Sequence, residues 1–178
     1  MKNVFALAVL GVFGSAVLCT SVRANVARPL PDIFLSVLAE VKAKTRLLVL
    51  LPTELPTPFS DAKDAIVDKA TAEEYAVSLY YKVDVGNAGF AAGFTAKNDP
   101  NYSPRDLPNV RAVKLAAGMV GFFRPVSFGG SCAPANIWWE QRHALYQIQL
   151  NLPSSLSEKR QQRIVATVAN SAILAGPR

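Results

Sequence analysis

The last third of the chain constrains the fold most. Ala135-Asn136-Ile137-Trp138-Trp139-Glu140 runs through Gln141-Arg142-His143 into Ala144-Leu145-Tyr146-Gln147-Ile148-Gln149-Leu150. Side chains alternate between faces along a strand, so Ala135, Ile137 and Trp139 share one side, and Ala144, Tyr146, Ile148 and Leu150 share one side of the return. Two such runs joined by so short a turn predict an antiparallel hairpin. Behind it, Ser155 with Glu158 three residues on has the form of a capping box and predicts a helix from Ser155 to Leu174. Leu156, Ile164, Val165, Val168, Ala169, Ala172 and Ile173 make its apolar stripe, Lys159, Gln162, Arg163 and Thr167 lie outside it, and Gly176-Pro177 stops it.

The same alternation recurs upstream. From Glu74 to Asp84, Tyr75, Val77, Leu79, Tyr81 and Val83 fall on one face, interrupted only by Tyr80. Gly86-Asn87-Ala88-Gly89 is turn chemistry, and Phe90 to Ala96 returns as a partner strand in which Gly93 suggests a bulge. Pro100, Pro104 and Pro108 make Lys97 to Asn109 a loop. Val110–Ala116 and Val120–Val126 are two further strands, separated by Ala117-Gly118-Met119. Nearer the N-terminus, Ile33, Phe34, Val37, Leu38 and Val41 recur at helical spacing through Lys44, with Asp32 as the expected cap. The unbroken apolar run Arg46–Leu51, ended by Pro52, reads as a strand buried on both faces. Pro52, Pro56 and Pro58 exclude regular structure between Leu51 and Pro58, and Ser60–Ala70 suits either a short helix or a strand. The expected class is α+β: an antiparallel sheet of about five to seven strands with N- and C-terminal helices packed on one face.

The first residues have a different character. Lys2, a 16-residue uncharged run from Val4 to Cys19, and Ser21-Val22-Arg23-Ala24 form the pattern of a secretory signal peptide cleaved after Ala24. The run falls short of the ~20 residues that span a bilayer, and Leu18 before Cys19 argues against lipidation. The division expected is therefore 1–24 signal peptide and 25–178 a single globular domain, periplasmic or extracellular, with no transmembrane segment after processing. Loss of Lys2 and Arg23 lowers the formal charge from +6 to +4. The remaining charges form no block, so nucleic acid is not an expected partner.

Few residues are available for chemistry. Cys132 is the sole cysteine after processing, so no disulfide framework holds the domain, and the thiol is buried, reactive or paired with another chain. Gly130-Ser131-Cys132 matches only the middle of the papain-type signature, with Gly129 and Ala133 at its Cys and Trp positions, and 46 residues follow Cys132 where that family needs ~130–150 to its His. The enzymatic alternative is a Cys132–His143 dyad steered by Glu140. One His and one Cys build no usual zinc site, and Asp61, Asp64 and Asp68 lack calcium-loop spacing, so no metal and no cofactor are expected. The binding hypothesis rests on aromatics: Trp138 and Tyr80 turned outward, with Arg142 or Lys82 nearby, would stack a sugar or an apolar ligand.

Ile137-x-Trp139, Tyr146-x-Ile148 and Val168-Ala169-Asn170-Ser171-Ala172-Ile173 give the C-terminal block a resemblance to small exported bacterial proteins of unknown function. More loosely, it is similar to the extracytoplasmic sheet-and-helix domains of anti-sigma-factor and sensor proteins, where Leu50-Leu51-Pro52-x-x-Leu55-Pro56 resembles the start of the domain. The resemblance implies fold and compartment, not activity. The function expected is an exported, non-enzymatic protein that binds a small apolar or sugar ligand or an anionic envelope component. The alternatives are the thiol-dependent enzyme and a disulfide-linked envelope dimer.

Overall fold

The computed structural model describes residues 29–99, 101–127 and 133–178. The expected signal segment and Cys132 lie outside them. The helices are α1 (Leu35–Lys44) and α2 (Glu158–Ala175). The strands are β1 (Asp64–Thr71), β2 (Glu74–Tyr80), β3 (Phe90–Lys97), β4 (Arg111–Lys114), β5 (Val120–Arg124), β6 (Ala135–Gln141) and β7 (Ala144–Leu150). They form one antiparallel sheet in the order β1-β2-β3-β7-β6-β5-β4. The expected α+β class is the one found.

Two meanders, β1 to β3 and β4 to β7, meet at a central β3–β7 seam. Alternation lines up across both. Val77, Phe94, Ile148, Ile137 and Phe123 stand in one cross-strand row, and Tyr75, Ala96, Tyr146, Trp139 and Gly121 in the next. All are buried on one face of the sheet. Trp139 stacks on Tyr146 with ring centroids 5.4 Å apart. Gly121 lets Leu115 pack close to the backbone there, since an added Cβ would lie 2.6 Å from Leu115 Cδ1 and force that side chain to shift. Phe34, just before α1, meets Phe94 edge-on at 5.2 Å, while Val165, Val168, Ala169 and Ala172 bring α2 onto the β6–β7 side. Both helices thus cover this one face.

The apolar run at 46–51 is not the strand its composition predicts. It joins no ladder and runs as an extended ribbon within the helical layer. Its backbone is satisfied from the sheet below. The Leu50 N–H donates to the Tyr75 hydroxyl at 3.0 Å, which donates back to the Leu50 carbonyl, and the Tyr146 hydroxyl donates to the Leu48 carbonyl at 3.1 Å. The Arg178 N–H donates to Val49 O at 3.1 Å. Burial without a ladder demands such donors and acceptors. The same burial raises the Tyr75 pKa far above the usual phenol range and pushes Tyr146 up to about 12.

Smaller departures have equally local causes. Asp32 sits in a 3-10 turn, Asp32–Phe34, and makes no side-chain cap. The Glu74 strand ends at Tyr80, because residues 83–89 coil into a 3-10 segment whose Gly89 leaves no room for a Cβ, 1.8 Å from Lys82 O. The bulge expected at Gly93 is two residues earlier: Leu79 faces Ala92 and Tyr80 faces Phe90, so Ala91 is the extra residue. The stretch at 60–70 divides into a 3-10 turn, Phe59–Asp61, and β1. The capping box at Ser155 does not form. The N-cap is Ser157, and Glu158 is drawn instead to the Arg111 guanidinium. At the other end Gly176, with φ 72°, stops α2 as expected. No helix among the described residues is long and apolar enough to cross a membrane.

Candidate functional site

Neither α1 nor α2 lies on the second face of the sheet. Its central row is Ala76, Thr95, Gln147, Trp138 and Phe122. Strand order decides what covers it. The chain leaves β3 at the seam and must re-enter at the far edge, β4, so residues 101–110 cross β7, β6 and β5. They do so over this face as a strap. Pro104 is buried, and the Arg105 guanidinium sits 4.9 Å above the Phe122 ring. At the start of the strap Lys97 pairs with Asp99 at 2.8 Å, and Asp99 also accepts the Asn101 N–H. The hydrogen bond from Lys97 holds the Asp99 carboxyl below its ordinary range, and Asp99 raises Lys97 in turn. Both groups therefore stay charged over the whole ordinary pH range.

Between strap and sheet lies a cleft of about 330 Å³, with Trp138, Thr95, Gln147 and Leu145 as its floor and Lys97, Asp99, Tyr102 and Glu74 around it. A smaller cleft of about 250 Å³ continues from it past Asp99, Tyr102 and Leu145 to Glu140 and His143. The polar floor is fixed in orientation. The Thr95 hydroxyl donates to Gln147 Oε1 at 3.4 Å, Gln147 Nε2 to Asn136 Oδ1 at 2.6 Å, and Asn136 Nδ2 to Pro134 O at 2.6 Å. Asn136 is fully buried, so this chain of amides fixes which end of Gln147 faces Thr95. The indole N–H that is buried without a hydrogen-bond partner among the described residues is that of Trp139, on the opposite, helix-covered face.

The three sequence-chosen ligand residues are not brought together. Trp138 lines the cleft but is 2% exposed, beneath the strap and with Arg124 5.4 Å from its ring, so it is no open stacking platform. Tyr80 is on the same face but at the opposite end of β2, packed edge-on against Phe90. Arg142 is in the hairpin turn, where it and His143 take φ of 49° and 64°, the left-handed pair of a two-residue hairpin. Lys82 is exposed and paired with Asp84. His143 and Glu140 do line one cleft, while Cys132 lies outside the described residues. Asp64 and Asp68 are on β1, not on a helix, and no group of three metal-binding side chains occurs among the described residues.

Thr95, Asp99, Tyr102 and Gln147 were not singled out by the sequence. One signal was present: a proline-marked loop of a dozen residues is longer than a plain connection needs, and such loops are often binding elements.

Fold and cleft together define a class, an α+β domain with helices on one face of an antiparallel sheet and a strapped polar cleft on the other. No family model, no curated protein and no solved structure matches the chain.

Proposed function

We propose that the protein is an exported, non-enzymatic binding protein whose strapped cleft takes a small polyhydroxylated ligand of one or two saccharide units. The observation that carries this is the fixed floor: Gln147, beside Trp138, is held in orientation by a buried chain of amides. A sugar offers hydroxyls that donate and accept at once, together with apolar C–H faces. Gln147 Oε1 and the Asp99 and Glu74 carboxylates are acceptors, the Lys97 ammonium is a donor, and Leu145 and Tyr102 are apolar neighbours. A volume of about 330 Å³ is at the lower end for small-molecule sites, which suits one or two rings. The Lys2, Val4–Cys19 and Ala24 pattern supports export, and the resemblance to exported sheet-and-helix domains points the same way.

Calorimetric titration with a panel of mono- and disaccharides tests the binding reading. Saturable binding that weakens about tenfold in Gln147→Leu supports it, and no saturable binding across the panel rejects it. Export is tested separately, by the mass of the protein recovered from the cell envelope or medium. A chain beginning at Asn25 is expected.

A further inference from the structure

Charge is sorted by the fold. Residues 29–99 carry ten acids and seven bases, whereas residues 101–178 carry three acids and nine bases. Because β1 to β3 form one side of the sheet and β4 to β7 the other, this difference along the chain becomes a difference across the molecule. We propose that the basic side, centred on the outer crest of α2 and the β4 edge, is a docking surface for an anionic lipid bilayer.

The crest holds Lys159, Arg160 and Arg163, all exposed. Glu158, the one acid of α2, is engaged by Arg111, so it leaves those three cations uncompensated. Their position runs against helix stability. The N-terminal end of a helix carries partial positive charge, so cations are disfavoured in its first turn and favoured in its last. Here Lys159 and Arg160 stand in the first turn, and the last turn has no base at all. Stability does not account for that arrangement, whereas an external anionic partner does. Nucleic acid fits less well, since no exposed aromatic accompanies the crest to stack on bases. A second copy also fits less well, because the acids around β1 are partly neutralised within the molecule, as in the Lys69–Glu74 pair at 2.5 Å. A bilayer rich in anionic headgroups asks only for a row of exposed cations, each adding roughly a constant increment of affinity.

The test is partition onto vesicles, using the protein as its host leaves it after expression of the full gene. Wild type is expected to sediment with phosphatidylglycerol-containing vesicles, not with pure phosphatidylcholine, and to be released by 0.5 M salt as screening shortens to a few ångströms (about 4 Å). The triple variant Lys159→Gln/Arg160→Gln/Arg163→Gln, whose changes are all on exposed positions, should lose about 100-fold in partition coefficient. Lys42→Gln, on α1, should lose little. The N-terminal apolar run is common to all of these proteins and cannot produce the difference. Equal partition onto both vesicle types, or a triple variant no weaker than Lys42→Gln, overturns the proposal. So does binding to a soluble polyanion with none to vesicles.

Discussion

Two tyrosine hydroxyls do for the 46–51 ribbon what a neighbouring strand would otherwise do. Tyr75→Phe strands the buried Leu50 N–H and should cost about 2 kcal/mol, while Tyr146→Phe removes only a donor to Leu48 and should cost about 1 kcal/mol. Urea denaturation of the two variants would show this order, and equal losses would contradict it. The same phenols set an alkaline limit. Their folded pKa values are raised by burial, so their contribution is full below the ordinary tyrosine value of about 10 and is lost as pH climbs through the folded values, about 12 for Tyr146. Melting temperature should therefore fall between pH 10 and 12, and less steeply in Tyr146→Phe. None of this was legible in the sequence. Tyr75 and Tyr146 alternate like any core residue, and their backbone partners lie 25 and 98 positions away.

At the level of elements, the strap is where structure and function meet. It is pinned by an exposed ion pair whose two halves fail at opposite ends of the pH scale. The lowered Asp99 contributes above the ordinary carboxyl pKa and is lost as pH falls through its folded value; the raised Lys97 contributes below the ordinary lysine pKa and is lost as pH rises. Acidification should thus loosen the strap before the sheet melts, read as increased acrylamide quenching of Trp138 while far-ultraviolet dichroism is unchanged. Quenching that rises only with global unfolding would refute a separately pinned strap. Among the elements, every strand of the C-terminal hairpin and the β2–β3 pair could be read from period-two alternation. The 46–51 ribbon could not, because an unbroken apolar run reports burial on both sides without reporting which layer does the burying. The α2 cap misled for a related reason: Glu158 has a competing partner, Arg111, 47 residues upstream.

Across the whole molecule, the meanders were legible from short connections, but their union was not. Nothing local marks β3 and β7 as neighbours, and without that seam the strap's path over Trp138 and the sorting of charge are both invisible. At the seam Phe94 stands opposite Ile148, each about 1% exposed. Ile148→Ala should cost about 3 kcal/mol by chemical denaturation, the loss of a fully enclosed branched side chain plus the cavity it leaves. Val120→Ala, at a position 52% exposed, should change stability by less than about 0.5 kcal/mol.

The placement of β7 bears on how this chain can fail. Both outer strands of the finished sheet are blunted, β1 by the bulge at Asp68 and β4 by its four-residue length and the charges of Arg111 and Lys114. A chain cut short before Ala144 keeps those safe borders but loses the strand that closes β3. It would then present an eight-residue apolar border, Phe90–Lys97, with its amides unpaired. Such a fragment is a template for intermolecular pairing. Incomplete synthesis or proteolytic clipping in this region should therefore yield insoluble aggregate and not a smaller folded domain.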